Sequence, residues 1–225
     1  MDGILRKLPI GIQTFEKLRE GDYLYVDKTA LVWRIASTET PYFLSRPRRF
    51  GKSLLLSTFE AYFEGKKELF EGLAIADMEK EWKTYPLFHL DLNAEKYDSP
   101  QALVEILSRQ LTQWELKYGK GEDEETLSGR FAGVIRRACE QSGRGVVVLV
   151  DEYDKPLLQA LGDDALLDDY RKTLKAFYGV LKSSDRYLRF VFLTGVTKFA
   201  QVSVFSDLNQ LNDISTVSYT HLRAH

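Results

Sequence analysis

Three consecutive residues, Gly51, Lys52 and Ser53, are the strongest candidates for chemistry in this chain. They follow the apolar run 41–44 and precede residues 54–59, a segment without a helix breaker. A strand, a turn, Gly-Lys-Ser and a helix form the phosphate-binding P-loop, in which N–H groups at the helix N-terminus hold an anion. Lys52 could then contact the β- and γ-phosphates of a nucleotide, and the Ser53 hydroxyl could ligate Mg²⁺.

The loop departs from the usual P-loop pattern at one position. The pattern G-x-x-x-x-G-K-[ST] has Gly at position 46, where this chain has Arg, and Pro47 restricts Arg46 to an extended backbone. The N–H groups nearest the phosphates would come from about residues 49–53, none of which is Pro, so the anion cradle can survive. A basic loop before an ordinary helix is the alternative. The residues predicted to contact a nucleotide are Arg48, Arg49, Phe50, Gly51, Lys52, Ser53 and Leu54.

A second segment supplies the acidic residues that a P-loop enzyme needs. Residues 145–150 are an apolar, β-branched run, typical of a strand buried on both faces of a parallel sheet, and Asp151 and Glu152 follow it. Carboxylates at the C-terminal end of such a strand lie where α/β sheets bind ligands. Asp151 would hold Mg²⁺ beside Ser53, directly or through water, and Glu152 would orient and deprotonate an attacking water. The alternative, two acids capping a surface strand, is disfavoured because Gly-Lys-Ser lies upstream.

The composition excludes several classes of protein. With 225 residues the chain can bury a substantial core, and 44% hydrophobic and 28% charged residues are ordinary for a globular protein. A net charge of −2 gives no global attraction to nucleic acid or to a membrane. No apolar run is long enough to span a bilayer, and the N-terminus lacks an apolar signal core. We therefore expect a cytoplasmic protein without a membrane partner.

Apolar patterns predict the elements that must position these residues. Strands are predicted at 23–26, 41–44, 87–92, 145–150 and 188–195. Helices are predicted at 30–35, 54–59, 103–114, 127–138 and 166–181, with Ser99 and Pro100 opening the third of them. Strands that alternate with helices imply a parallel sheet with right-handed crossovers.

The order of these strands resembles that of the additional-strand P-loop ATPases, which include AAA-type proteins. One predicted strand lies between the P-loop strand and the strand before Asp151, and another follows it. In that group the later strand is inserted next to the P-loop strand, and its end carries a polar sensor residue near the γ-phosphate. Thr194, Thr197 and Lys198 are the candidates here, and Thr194 joins Lys52 and Glu152 as a predicted catalytic residue. Plain turn chemistry at Thr-Gly is the alternative.

Several phrases between residues 8 and 215 are together similar to one family, the predicted AAA-ATPase-like proteins of bacteria and archaea. The phrases are Leu8-Pro9-Ile10-Gly11-Ile12-Gln13, Tyr25-Val26-Asp27-Lys28-Thr29, residues 46–53, Asp151-Glu152-Tyr153-Asp154-Lys155-Pro156, Leu193-Thr194-Gly195-Val196-Thr197-Lys198 and residues 205–214. The resemblance implies a nucleoside triphosphatase that uses ATP and Mg²⁺ and that has Arg at the first P-loop Gly. It also suggests that Tyr23, Asp27, Lys28 and Thr29 lie by the nucleotide base.

These observations together predict an α/β, three-layer P-loop NTPase fold of the additional-strand type, with a mostly parallel sheet flanked by helices and its last strand missing. Residues 1–215 would be the ATPase-like domain, truncated at its C-terminus. Full-length members of the family often carry a C-terminal domain resembling PD-(D/E)xK nucleases, which would be a partner of the ATPase part. Residues 216–225 resemble translated sequencing-adapter sequence and would be a non-native tail; a natural short extension is the alternative.

Three functions are compatible with the sequence. The first is an ATPase that drives or gates a partner or a fused domain. The second is a nucleotide-binding switch or scaffold without turnover, which the presence of Glu152 disfavours because a pure binder needs no base. The third is a nucleic-acid-binding module in which Arg46, Arg48 and Arg49 contact phosphates. The acidic net charge and the scarcity of aromatic residues near these arginines disfavour the third.

Overall fold

A computed structural model of the chain describes residues 7–93, 96–198, 204–205 and 211–215. The helices are α1 (Phe15–Glu20), α2 (Thr29–Ala36), α3 (Lys52–Phe63), α4 (Ala74–Met78), α5 (Pro100–Tyr118), α6 (Leu127–Ser142), α7 (Lys155–Gln159) and α8 (Asp164–Ser183). The strands are β1 (Tyr42–Ser45), β2 (Leu87–Asp91), β3 (Val146–Asp151), β4 (Leu188–Gly195) and β5 (Asn212–Asp213). Short 3₁₀ turns at Lys67–Phe70 and Asp185–Tyr187 precede α4 and β4.

The strands form a five-stranded sheet in the order β2-β3-β4-β1-β5, and every neighbouring pair is parallel. β4 follows β3 in sequence but is inserted between β3 and β1. Leu44 of β1 pairs with Thr194 of β4, and Leu193 of β4 pairs with Val150 of β3. This is the order expected for an additional-strand P-loop protein, so the predicted fold class is confirmed. The ends of β1 and β3 lie one strand apart at the same edge of the sheet.

A short fifth strand was not predicted from the sequence. β5 lies beside β1, where Asn212 pairs with Tyr42. Its hydrogen bonds to the sheet include those from the Asn212 N–H to the Pro41 carbonyl and from the Ile214 N–H to the Phe43 carbonyl. A strand of two residues is too short for an alternating apolar pattern, so the sequence gives little sign of it.

Residues 23–26 are not a strand, contrary to the sequence prediction. Tyr23 makes an isolated parallel bridge with Lys7, and the chain then turns away. Tyr25 packs edge-on against Phe15 of α1, with 5.3 Å between the ring centroids, whereas Val26 is exposed. The alternating pattern in this segment therefore reflects packing of one aromatic ring onto a helix, and among the described residues its strand-like pairing is limited to the bridge at Tyr23.

Both faces of the sheet are buried, which explains the continuous apolar run of β3. Successive side chains of a strand point to opposite faces. Val148 and Val150 belong to the core cluster that includes residues of α5, α6 and α8, whereas Val147 and Leu149 belong to the cluster that includes residues of α1, α2 and α3. The three layers place the C-terminal ends of the strands, and the loops that follow them, at one edge.

The longest helices, α5 and α8, have 19 and 20 residues and turn one apolar face toward the sheet. The predicted helix start is confirmed for α5, which has Ser99 at its N-cap position and Pro100 in its first turn. Among the residues that the structure describes, no helix combines the length and the apolar character needed to cross a membrane.

Replacing Phe192 by Ala tests how far the fold depends on the inserted strand. Phe192 is fully buried in β4 and contacts Phe59 of α3, with 4.9 Å between the ring centroids. Loss of the ring leaves a cavity, so the free energy of unfolding, measured by urea titration, should fall by about 3–5 kcal/mol. Leu116→Ala, on the exposed face of α5, is the control and should change it by less than about 0.5 kcal/mol. Similar losses in both variants would contradict the central role of β4.

Candidate nucleotide-binding site

The loop between β1 and α3 has the backbone of an anion-binding turn. Arg49 and Gly51 have positive φ angles of 68° and 75°, and Gly51 is the N-cap residue of α3. Left-handed residues in such a turn direct successive N–H groups into one concavity. No side chain caps the helix within the part of the chain that is described. Arg46 is not among the residues with positive φ, so the conformational freedom of Gly is not required there.

The Lys52 side chain lies inside this loop. Its ammonium donates hydrogen bonds to the carbonyl oxygens of Arg46 at 2.8 Å and Pro47 at 3.3 Å, and it pairs with Glu152 Oε1 at 3.1 Å. These partners match the three donors of an ammonium group, and only 5% of the residue is exposed. The contact with Glu152 shows that the two motifs meet at one place.

The Asp151 carboxylate joins three elements of the structure. Its Oδ2 accepts a hydrogen bond from the Ser53 hydroxyl of α3 at 2.7 Å, and its Oδ1 accepts one from the Thr194 hydroxyl of β4 at 2.5 Å. Asp151 is 4% exposed and Thr194 is fully buried. The two residues predicted to bind Mg²⁺, Ser53 and Asp151, are thus in direct contact.

Glu152 adopts a strained backbone at the end of β3. Its φ is 56°, a region that few non-glycine residues occupy. Its N–H donates to the Thr194 hydroxyl at 3.3 Å, and the next N–H, of Tyr153, donates to the Thr194 carbonyl at 2.9 Å. Burial raises the pKa of the Glu152 carboxyl group, and the neighbouring Lys52 ammonium acts in the opposite direction. A buried acid with a raised pKa is a common feature of catalytic sites.

A cleft of about 690 Å³ lies in front of these groups. This volume is within the range of roughly 300–1,000 Å³ that ligand pockets occupy. The lining residues are Pro9, Ile10, Gly11, Ile12, Gln13, Arg48, Arg49, Gly51, Lys52, Ser53, Leu54, Asn93 and Glu152. Most of the sequence-predicted site residues therefore share one cleft. Phe50 is exposed at the tip of the loop, and Asp151 and Thr194 lie beneath the surface of the cleft.

Residues 9–13 form a wall of the cleft that sequence reasoning did not assign. They are attached to α3 through Ser57, whose hydroxyl donates to the Gln13 carbonyl at 3.4 Å and accepts the Phe15 N–H at 2.9 Å. Asn93, just after β2, is a further lining residue without a sequence-based assignment. The position of Asn93 just after a parallel strand could have identified it as a candidate site residue. Residues 9–13 lack any apolar periodicity that would reveal where they pack.

Asp154 is a second residue that the sequence reasoning left without a role. It is fully buried, and its carboxylate accepts hydrogen bonds from the N–H groups of Val196 and Thr197 and from the Thr197 hydroxyl. Lys198, another sensor candidate, pairs with Asp213 Oδ2 at 2.5 Å. Of the three candidates, Thr194 is the one that the described contacts connect to Asp151.

The segment 23–29 connects two helices, and it does not line the cleft. Asp27 accepts hydrogen bonds from the N–H and the hydroxyl of Thr29 and from the N–H of Ala74. Thr29, which is fully buried, accepts the N–H of Ile75. These contacts join the start of α2 to the start of α4. These residues are absent from the cleft lining, and their place beside a nucleotide base stays a prediction.

Comparison with known proteins agrees with this geometry. The family model described as Predicted AAA-ATPase matches residues 9–205. The chain belongs to this family. It is also 44% identical over 214 residues to the "Uncharacterized protein in vnfD 5'region" of Azotobacter chroococcum mcd 1, a match that covers 95% of this chain and 42% of that protein. The chain thus spans about two fifths of the length of this curated relative. No solved structure is significantly similar.

The raised pKa of Glu152 makes the stability of this AAA-ATPase family member depend on pH. A carboxyl group with a higher pKa in the folded chain stabilises the fold below its unfolded pKa and loses that contribution as pH rises through the folded pKa. The ordinary value is 4.5. The free energy of unfolding of Glu152→Gln, relative to the parent, should therefore increase as the pH rises above the ordinary carboxyl value of 4.5 in urea titrations. A relative stability that is constant or decreases would contradict the raised pKa.

Proposed function

We propose that this chain is an ATP-binding P-loop NTPase module that hydrolyses Mg-ATP. The observation that carries the proposal is the convergence of Lys52, the Ser53–Asp151 pair and Glu152 on one cleft, with the N-terminus of α3 opening into it. Residues of the correct type for phosphate binding, metal binding and proton transfer thus lie within contact of one another. Membership of the predicted AAA-ATPase family supports the same conclusion.

In the proposed binding mode, phosphate oxygens accept hydrogen bonds from the N–H groups at the start of α3. The helix dipole and the left-handed backbone at Arg49 and Gly51 favour an anion there. The Lys52 ammonium would exchange the Arg46 and Pro47 carbonyls, or Glu152, for phosphate oxygens. The carbonyl and carboxylate partners have already replaced water around the Lys52 ammonium, which is therefore desolvated before the nucleotide arrives. Less reorganisation of solvent is then needed on binding.

Ser53 and Asp151 fit a magnesium site because their hydroxyl and carboxylate oxygens are 2.7 Å apart beside the phosphate-binding loop. In the described part of the chain, no group of three or more His, Cys, Asp or Glu residues could hold a metal ion. A P-loop site needs no such group, because phosphate oxygens and water supply the remaining ligands. The ion, when bound, would neutralise charge on the phosphates. Thr194 would hold the second Asp151 oxygen, which makes it a positioning residue in this proposal.

Glu152 is the proposed general base. Its carboxylate lines the cleft next to Lys52, and its raised pKa brings proton affinity closer to that needed at neutral pH. A phosphate that replaces Glu152 as the partner of Lys52 would leave the carboxylate able to accept a proton from water. The hydrogen bonds of Thr194 to the adjacent backbone keep the side chain at this place.

A nucleotide-binding switch is the second candidate function. The Lys52–Glu152 ion pair favours it, since a base that stays paired with the lysine would not activate water. Binding alone could then drive or gate a partner or a further domain. The nucleic-acid alternative is weaker, because the Arg46 guanidinium donates to the Ser215 carbonyl within the fold and only Arg48 and Arg49 of the three arginines line the cleft.

Replacing Lys52 by Ala should weaken ATP binding by at least about 10-fold, since each 1.4 kcal/mol of lost phosphate contact is tenfold in affinity. Isothermal titration calorimetry with and without Mg²⁺ measures the change. Lys175→Ala, which removes a positive charge from the exposed face of α8, is the matched control and should bind like the parent. Equal ATP affinity in Lys52→Ala and the parent would refute the P-loop proposal.

Replacing Glu152 by Gln should leave ATP binding nearly unchanged and slow phosphate release by about 10²-fold or more, the scale of general-base catalysis. Glu105→Gln, an exposed change on α5, is the control. If the parent binds ATP but releases no phosphate, the switch replaces the enzyme as the proposed function. If the parent hydrolyses ATP and the Glu152 variant is equally fast, the base is another group.

A further inference from the structure

Arg46 occupies the position where the usual P-loop pattern has Gly, and it touches three parts of the site. Its N–H donates to the Gly195 carbonyl at the end of β4 at 3.1 Å. Its Nη1 donates to the Ser215 carbonyl at 2.5 Å, and its own carbonyl accepts the Lys52 ammonium at 2.8 Å. One residue therefore connects the segment after β5 to the lysine proposed to bind phosphate.

The segment 213–215 makes further contacts on both sides of β1. The Ser215 hydroxyl accepts the N–H of Ser45, the last residue of β1, at 2.7 Å. Asp213 accepts the Ser215 N–H at 2.9 Å and pairs with Lys198 of the loop after β4 at 2.5 Å. Ser215 is 6% exposed, so its own hydrogen bonds are partly shielded from water. The segment is thus bonded to the phosphate-binding loop and to the loop that follows β4.

The shortness of β5 makes these contacts important. A strand of two residues gains little from pairing with β1 alone. The partly buried, charge-assisted hydrogen bond from Arg46 is stronger than a neutral backbone bond. Gly at position 46 would offer no side chain for it, and the backbone there has no positive φ that would require Gly.

We propose that Arg46 is a positioning residue that couples nucleotide binding to the attachment of segment 213–215. It fixes the carbonyl that holds Lys52 and ties the same loop to β5. The inference rests on the nucleotide site proposed above and deepens it by naming a route of regulation. Coupling is reciprocal, so ATP should tighten the attachment of segment 213–215, and loosening of that segment should weaken ATP binding.

The direct test is Arg46→Gly, which restores the usual P-loop pattern. We expect ATP affinity, measured by calorimetry, to fall by about 5-fold or more, since this is the lower end of typical coupling between sites. Arg46→Met, which lacks a donor, should behave similarly, and Arg46→Lys, which retains one, should recover most of the affinity. Unchanged or tighter ATP binding by Arg46→Gly would overturn the inference.

Amide hydrogen exchange separates this inference from the proposed function. In the nucleotide-free protein, the N–H groups of Ser45 and Ile214 should exchange faster in Arg46→Gly than in the parent, while the N–H of Val148 in β3 serves as the reference for global unfolding. ATP should slow exchange at Ile214 in the parent and much less in the variant. If the parent binds no ATP, the proposed function fails, while the nucleotide-free exchange rates still test whether Arg46 attaches segment 213–215. Equal exchange rates at Ile214 in the nucleotide-free parent and variant would overturn that role of Arg46.

Ser215→Ala is a second variant that tests the coupling if Arg46→Gly folds poorly. It removes the hydroxyl acceptor of the Ser45 N–H but keeps the Ser215 carbonyl that receives Arg46. We expect faster exchange at Ser45 and a smaller loss of ATP affinity than in Arg46→Gly. Faster exchange with undiminished ATP affinity would show that the segment and the nucleotide site are independent, which would refute the coupling.

Discussion

The site depends on the Asp151 carboxylate, which accepts one hydroxyl hydrogen bond from α3 and another from β4. Each oxygen of a buried carboxylate must be satisfied, and here the two donors come from different elements. Ser53 can reach it only if α3 begins directly after the loop, and Thr194 can reach it only if β4 lies next to β3. The hydrogen bonds of the Asp151 side chain therefore depend on the parallel strand order, on where α3 begins and on the packing of both sheet faces.

The other charged groups near the cleft also have partners within the protein. Lys52 and Glu152 neutralise each other, and Asp154 is surrounded by donors from the loop after β4. Buried charges without partners would be strongly destabilising. The site thus has polar networks that are largely satisfied within the protein. Ligand binding in such a site proceeds by exchange of partners, which makes affinity sensitive to how well each internal partner is held.

The sequence predicted the parts of this molecule that periodicity and motif encode. The apolar strand β3 and the long helices α5, α6 and α8 were predictable because each repeats a pattern over many residues. The pairing of Gly-Lys-Ser with Asp151 was predictable because it matches a known local geometry. The errors lie where tertiary contacts decide. β5 has two residues, segment 23–26 packs a single ring, and residues 9–13 find their place through one serine of α3. None of these contacts leaves a periodic signal.

The left-handed backbone of Glu152 has a consequence for how this position tolerates change. Glycine would adopt a φ of 56° without strain, and by that measure it is the residue that the local conformation prefers. The same replacement would delete the carboxylate that contacts Lys52. Residue 152 therefore cannot both have an unstrained backbone and keep its carboxylate. Glycine would release the backbone strain but would leave the buried Lys52 ammonium without its carboxylate partner, so position 152 is subject to two opposing requirements for stability.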